Sequence, residues 1–308
     1  MPAPKRAGLL LSMLGLGLGI GLLWAKASPA MGFRLAAFTL LLLCCLFVMN
    51  AIVASDLERK LELEREQIAA REIQKYLQGH ELPQFPGCEI AGLCRTNREV
   101  GGDYFDAIKL NREKLLLVIA DVSGKGIPAA LLMANLQAIL RTSAFAGQSP
   151  REIATSIHLH LLRHSEPERY VTAFLGLLYP ASRQLTYVNA GHEPPLLASS
   201  EGSVTRLDAG GPPLGLIPEV VFETGNIALP PNSTLLLYTD GVTDRSNRRG
   251  EFYGVERLIS HLNEAVPSRA SDIVAYLLRA SDAFAGSVPA ADDLTLLVLR
   301  TAGQSSER

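Results

Sequence analysis

The sequence predicts an α+β protein, with stacked sheets and helices outside them, behind an apolar N-terminal region. Three observations lead there. Strand-like and helix-like blocks come in groups, without the regular alternation of a doubly wound sheet. Two uncharged apolar runs occupy the first 54 residues. Four short aspartate-bearing segments, far apart in the chain, sit at the mouths of apolar strands: Gly102-Asp103-Tyr104-Phe105-Asp106, Asp121-Val122-Ser123-Gly124-Lys125-Gly126, Tyr238-Thr239-Asp240-Gly241-Val242-Thr243-Asp244 and Asp292-Asp293-Leu294-Thr295. With 308 residues and 48% hydrophobic content the chain exceeds one ordinary domain, and its apolar residues are unevenly spread.

Ala7 to Ala25 and Leu35 to Ala54 carry no charge. At helical rise each spans about 30 Å, the thickness of a bilayer's hydrocarbon core. Neither has a polar face, which argues against a buried soluble helix pair. With the break Lys26 to Arg34 between them, residues 1–54 read as a two-helix membrane hairpin. Lys5, Arg6 and the Ala25-Lys26-Ala27 stretch allow a cleaved signal peptide instead, although the first run is long for one. Arg59, Lys60, Arg65, Arg71 and Lys75 follow the second run, so either reading leaves the remainder in the cytoplasm; as a hairpin the chain is a multi-pass inner or cell membrane protein. Little sequence is left for an extracytoplasmic sensor domain. Gly15/Gly19 and Gly17/Gly21 have the small-xxx-small spacing of close helix packing, within the hairpin or a dimer, or mark a loosely packed span. A formal net charge of −2 and the lack of basic runs interleaved with aromatics give no case for nucleic acid. The cysteines Cys44, Cys45, Cys88 and Cys94 lack zinc spacing and read as free thiols.

Ser55 to about Gly79 is rich in Glu, Lys, Arg, Leu and Gln and predicts a helix leaving the bilayer. Leu57, Leu61 and Ile68 fit one face; Ala70, Ile73 and Leu77 fit another, so no heptad is sustained. Residues 55–86 are then a linker, either a dimerising coiled coil or a solvated spacer. Pro83 and Pro86 end it. A globular domain spans 87–301. Strands are predicted at Cys88–Cys94, Ala107–Leu110, Lys114–Asp121, Val204–Leu207, Val221–Ala228, Thr234–Asp240 and Leu294–Arg300, with a meander over Tyr170–Tyr179, Gln184–Ala190 and Pro194–Ala198. Helices are predicted at Ile127–Phe145, Pro150–His164, Gly254–Glu264 and Ser268–Ala285. Ala209 to Leu216 reads as an ordered loop, and 302–308 as a disordered tail.

Asp121 closes the apolar strand KLLLVIA and precedes a glycine turn into a helix, where its carboxylate can bridge two ions beside the Val122 carbonyl. Taken singly it is a cap or turn residue. Asp240 repeats the pattern after TLLLYT, and Asp292 opens LTLLVLR as the stronger candidate of an adjacent pair with Asp293. Asp103 and Asp106 flank two aromatics after a Gly-Gly turn, and one or both can reach the same place directly or through ordered water. Converging carboxylates of this kind make a hard-oxygen cage suited to Mg²⁺ or Mn²⁺. His192, in a GHEPP turn, reads as a structural residue. His160 and His164 have i,i+4 spacing but no third ligand.

Together these segments resemble the metal-dependent protein phosphatase (PPM) family, in its bacterial SpoIIE/RsbU-like branch. The matching stretches are Ala70-Arg-Glu-Ile-Gln74, Glu99-Val-Gly-Gly-Asp-Tyr-Phe-Asp106, Ile119-Ala-Asp-Val-Ser-Gly-Lys-Gly126, Tyr187-Val-Asn-Ala-Gly-His-Glu-Pro194, Tyr238-Thr-Asp-Gly-Val-Thr-Asp244 and Asp292-Asp-Leu-Thr295. The resemblance implies an α-β-β-α sandwich and two Mn²⁺ or Mg²⁺ ions. Asp121 would bridge them with the Val122 carbonyl, Asp240 and Asp292 would complete one ion and Asp103 the other, with Asp121 and Asp103 central to catalysis. It implies hydrolysis of a phosphoserine or phosphothreonine on a protein by ionised water, with a phosphorylated anti-sigma antagonist as substrate. Two features depart from the family. The phosphate-gripping arginine of eukaryotic members has no counterpart, with only Arg98 and Lys125 nearby. Thr96-Asn97-Arg98 stands where a proline usually precedes Glu-Val-Gly-Gly. A two-metal nucleotidyl cyclase would need a base pocket that is not evident; a non-catalytic binding protein would be expected to have lost a metal aspartate.

Overall fold

The computed structural model describes Gly15, Gly19 and residues 29–77, 82–97, 100–166 and 169–302. The chain divides into two compact units, Met1–Glu66 and Gln67–Arg308.

Helix α1 (Pro29–Leu77) runs for 49 residues, from the first unit into the start of the second. It has no glycine or proline after Gly32, so nothing interrupts the passage from the apolar half to the charged half. The expected break up to Arg34 is therefore too long: Arg34 lies within the helix. Phe33, Phe38, Leu41 and Val53 are exposed, and the helix is long and apolar enough over 30–74 to cross a membrane. The first apolar run lies outside the described residues apart from Gly15 and Gly19, both helical, and with it the hairpin and its cleavage alternative. Leu57, Leu61, Ile68 and Ile73 are also exposed.

The second unit holds two sheets. The first has the order β1-β11-β10-β6-β7, formed by Cys88–Arg95, Leu294–Thr301, Thr234–Tyr238, Leu196–Ala198 and Val204–Arg206. The second has the order β2-β3-β4-β5-β8, formed by Tyr104–Lys109, Leu115–Val122, Val171–Tyr179, Gln184–Ala190 and Gly210–Gly211, with β9 (Gly225–Ala228) also paired to β5. Strict alternation along the strands builds three apolar layers. Leu115, Leu117 and Ile119 of β3 meet Leu235 and Leu237 of β10 and Leu297 and Leu299 of β11 between the sheets. Leu116, Val118 and Ala120 face the other way, onto α2 (Ile127–Phe145) and α3 (Pro150–His164). Leu236, Leu296 and Val298 pack on α5 (Gly254–Ala265) and α6 (Ala270–Ala285). The result is α+β, helices on sheet on sheet on helices.

Helices α2 and α3 begin and end where the pattern puts them. Helix α3 carries Pro150 in its first turn and a capping box, with Ser149 accepting from the Glu152 N–H and the Glu152 carboxylate accepting from the Ser149 N–H. The meander is only partly correct. Strands β4 and β5 pair, but β6 leaves for the other sheet, alongside β10. The Gly191-to-Pro195 turn between them changes sheets. Strand β2 starts at Tyr104, ahead of the expected Ala107, and β9 starts at Gly225, after the expected Val221. Strand β10 stops at Tyr238, so Asp240 opens a single helical turn, α4 (Asp240–Thr243).

Candidate active site

The rows of side chains between the sheets end in polar residues at one edge. Phe105 and Ala107 of β2 are preceded at the same parity by Asp103. The β3 row Leu115, Leu117, Ile119 continues to Asp121. Leu235 and Leu237 of β10 continue to Thr239, and Leu297 and Leu299 of β11 run back to Thr295 and Asp293. Parity alone therefore carries three carboxylates, Asp103, Asp121 and Asp293, to one end of the inter-sheet layer. Asp106, three residues from Asp103, falls on the opposite face of β2. It is buried there, accepting from the Tyr104 hydroxyl at 2.7 Å and from Arg141 Nη2 of α2 at 2.6 Å. Of the two aspartates, one or both of which could reach the cluster, Asp106 instead ties β2 to α2.

Asp103 is the innermost acid, 2% exposed, and its Oδ2 accepts from the hydroxyls of Thr239 at 2.9 Å and Thr295 at 2.6 Å. Asp121 is half-buried, while Asp240 and Asp292 are exposed, so the acids grade outward from the core to a recess. That recess is lined by Asp121, Lys125, Asp292, Asp293, Gly101 and Gly102, among others. Two glycines permit the close approach. A side chain on Gly102 would put its Cβ 2.7 Å from the Val122 carbonyl oxygen, and one on Gly241 would strike the Asp293 carbonyl.

The acids raise one another. Burial first, then the charges of Asp240, Asp292 and Asp293, push the Asp121 carboxyl up to about 7, with Lys125 pulling it down. Burial and then Asp121 hold Asp103 well above the ordinary carboxylate range, against the two threonine hydroxyls. Asp240 is open to solvent itself, yet the protein around it, then Asp244, Asp292 and Glu193, raise it too.

The supporting residues were less visible in the sequence. Asp293, the weaker of its pair, accepts from Asn97 N–H at 2.7 Å through Oδ1 and from Gly102 N–H at 3.0 Å through Oδ2. It organises the loop before β2. Gln74 of α1 is buried and clasps Gly101, donating to its carbonyl at 2.6 Å and accepting from its N–H at 3.1 Å. Lys125 donates to Asp292 Oδ2 at 2.7 Å. His192 is buried between the sheets, against Thr172 and the Tyr238 carbonyl, in keeping with a structural role. His158 likewise accepts from Gly215 N–H at 3.1 Å. Cys88 is a free thiol, and burial pushes it up to about 11. Arg98 lies outside the described residues.

Among the described residues, no group of three or more His, Cys, Asp or Glu is arranged to hold a metal ion as it stands. The side chains are engaged otherwise: Asp292 with Lys125, Asp293 with the loop, Asp103 with two threonines. The donor set nevertheless fits a hard divalent cation. It is all oxygen, and Asp121, raised to about 7 by burial first and then by the charges of Asp240, Asp292 and Asp293, sits where a cation would relieve both causes.

The fold is that of the PP2C-type phosphatase domain. The chain superposes on the SiaA-PP2C domain of Pseudomonas aeruginosa with a TM-score of 0.70 at 20% identity, covering 79% of this chain and 98% of that one. It superposes on the RsbU and RsbW domains of Rv1364c from Mycobacterium tuberculosis with a TM-score of 0.65 at 27% identity, covering 74% and 64%. Residues 111–302 match the family described as Stage II sporulation protein E, and the chain belongs to this SpoIIE family. The matched range contains Asp121, Val122, Asp240 and Asp292 and begins after Asp103. The chain is 30% identical to protein IcfG of a Synechocystis strain over 259 residues, 73% of this chain and 40% of that protein. It is 28% identical to the phosphoserine phosphatase RsbU of Bacillus subtilis over 243 residues, 78% of this chain and 71% of RsbU. The chain therefore spans less than half of IcfG and most of RsbU.

Proposed function

We propose that the protein is a membrane-tethered, Mn²⁺- or Mg²⁺-dependent protein serine/threonine phosphatase of bacterial signalling. The observation that carries this is the convergence of Asp103, Asp121, Asp240 and Asp292 at one end of the inter-sheet layer, each raising or raised by another. Family membership and the relatives named as phosphoserine phosphatases support the same reading. In this reading Asp121 is the central ligand, with the Val122 carbonyl beside it, Asp103 inside and Asp240 and Asp292 outside. Two such ions supply Lewis-acid chemistry, acidifying a water and neutralising phosphoryl charge. The chain's own work is positional. Thr239 and Thr295 orient the Asp103 carboxylate, and Asp293 and Gln74 hold the loop that carries it. The domain is residues 87–301, behind a linker of 55–86. The substrate is a phosphorylated protein, as the phosphoserine phosphatase RsbU suggests, and by the family resemblance an anti-sigma antagonist. The exposed apolar positions of α1 suit a membrane span and a homodimer.

The test is Mn²⁺-dependent hydrolysis of p-nitrophenyl phosphate and of a phosphoserine peptide, with Mn²⁺ binding measured in parallel, for the wild type and Asp121→Asn. The expected result is at least a hundredfold loss of activity in the variant together with weakened Mn²⁺ binding. Full activity in the variant overturns the assignment.

A further inference from the structure

The recess holds a side chain that the metal-ligand scheme does not use. Lys125 lies in the loop Ser123–Gly126, between Asp121 and the start of α2. That loop is tightly held. Ser123 N–H donates to the Tyr170 carbonyl at 3.0 Å, Tyr170 N–H donates back to Ser123 Oγ at 2.9 Å, and Arg169 Nη1 donates to the Ser123 carbonyl at 3.0 Å. A fixed backbone therefore aims a long, flexible cation across the mouth. Its Nζ reaches Asp292 Oδ2 at 2.7 Å and the Ala291 carbonyl at 3.0 Å, while 44% of the side chain stays exposed. Among the described residues lining the recess it is the one cationic side chain.

The charge balance gives that cation a task. Four carboxylate ligands and two divalent ions sum to zero, and Asp293 in the same lining adds one negative charge, so without a further cation the site has no net attraction for a phosphate dianion. One ammonium at the rim offsets that charge. The ion pair with Asp292 is half-exposed, and pairs of that kind are held weakly. A dianion entering the recess offers Nζ a partner of higher charge within the reach of a four-carbon arm.

Building on the phosphatase reading, we propose that Lys125 is the phosphate-binding residue of this site. Its ammonium exchanges Asp292 for a non-bridging phosphoryl oxygen of the incoming phosphoprotein and retains the phosphate product. The interaction is made with substrate and product alike, so it acts on binding more than on turnover.

The experiment uses the full chain in detergent, loaded with Mn²⁺, as wild type, Lys125→Gln and Lys125→Arg. Binding of labelled inorganic phosphate is read by equilibrium dialysis, and KM and kcat are read with p-nitrophenyl phosphate. Lys125→Gln is expected to weaken phosphate binding and raise KM by about tenfold or more, the worth of one charge-assisted hydrogen bond, with kcat within about threefold of wild type. Lys125→Arg is expected to recover most of the binding. Unchanged phosphate affinity in Lys125→Gln overturns the proposal. So does a loss of Mn²⁺ binding in that variant, which would make Lys125 a positioning residue for Asp292. A wild type that hydrolyses nothing while binding phosphate through Lys125 would instead sink the phosphatase reading and leave this one standing.

Discussion

His192 reaches both sheets with one ring. Its Nε2 lies 3.1 Å from the Tyr238 carbonyl at the end of β10, and its Nδ1 lies 2.9 Å from the Thr172 hydroxyl on β4. A carbonyl can only accept, so Nε2 carries the proton and Nδ1 accepts from threonine. The neutral ring satisfies both partners, whereas a protonated ring would place a charge in the core. Burial accordingly lowers its pKa from 6.5 to about 4, with the Tyr238 carbonyl acting against the shift. The sign follows from linkage. Below 6.5 the unfolded chain takes up a proton that the folded chain refuses until about 4, so the stability is present above 6.5 and lost as pH falls through that window. The loss at the acid end is on the order of 3 kcal/mol. Urea unfolding of the wild type and His192→Gln from pH 7.5 to 4.5 measures it. The wild type is expected to weaken more steeply over that range, and parallel profiles would show that the ring does not titrate this way.

At the level of strands and helices, the two aspartates of the Gly-Asp-Tyr-Phe-Asp segment show how much of the site the sequence makes legible. Their spacing of three residues puts them on opposite faces of any strand that contains both, and the structure does so. The sequence segment leaves open whether one or both reach the cluster; following the parity of Phe105 and Ala107 back to Asp103 separates them. The apolar rows of β3, β10 and β11 were equally readable, because alternation needs only local sequence. The partners of Asp293 and Gln74 were not, since each bonds a backbone group far along the chain, and no local pattern encodes such a contact. The move of β6 to the other sheet was hidden for a related reason: strand spacing fixes length, and long-range packing chooses the partner. A direct consequence concerns Asp106. Arg141→Ala leaves its carboxylate buried with only Tyr104 and its neighbouring amide to satisfy it. Breaking a fully buried pair costs about 3–5 kcal/mol, and Arg141 is 39% exposed, so a loss of about 2 kcal/mol is expected. Thermal unfolding reads that loss. The same variant is expected to keep the wild-type Mn²⁺ dependence of activity, which Asp121→Asn abolishes; altered metal dependence in Arg141→Ala would mean that the Asp106 cluster belongs to the site after all.

Among the described residues, the second unit buries its apolar side chains and the apolar half of α1 leaves them open. The three layers of the second unit hold nearly all the buried leucine, isoleucine and valine, whereas α1 exposes Phe33, Phe38, Leu40, Leu41, Leu42, Phe47, Val48, Met49, Ile52 and Val53 in succession. A run of that length without a covering partner is unstable in water, and at 1.5 Å per residue it matches a bilayer core. Stability should therefore divide at the boundary between the units. A chain of residues 67–308 retains all three layers and the Gln74 clasp, and it is expected to express as a soluble protein with a cooperative thermal transition and Mn²⁺-dependent hydrolysis. The full chain is expected in the membrane fraction, resistant to high salt and alkaline carbonate and released by detergent. Sedimentation of the two chains with vesicles of neutral lipid separates anchoring from electrostatic adsorption, since adsorption is screened by salt while apolar insertion is not. If the full chain stays in the supernatant without detergent, the exposed face of α1 is covered by protein and not by lipid. Its oligomeric state, measured against that of 67–308, would then show whether a second copy of this helix is the cover.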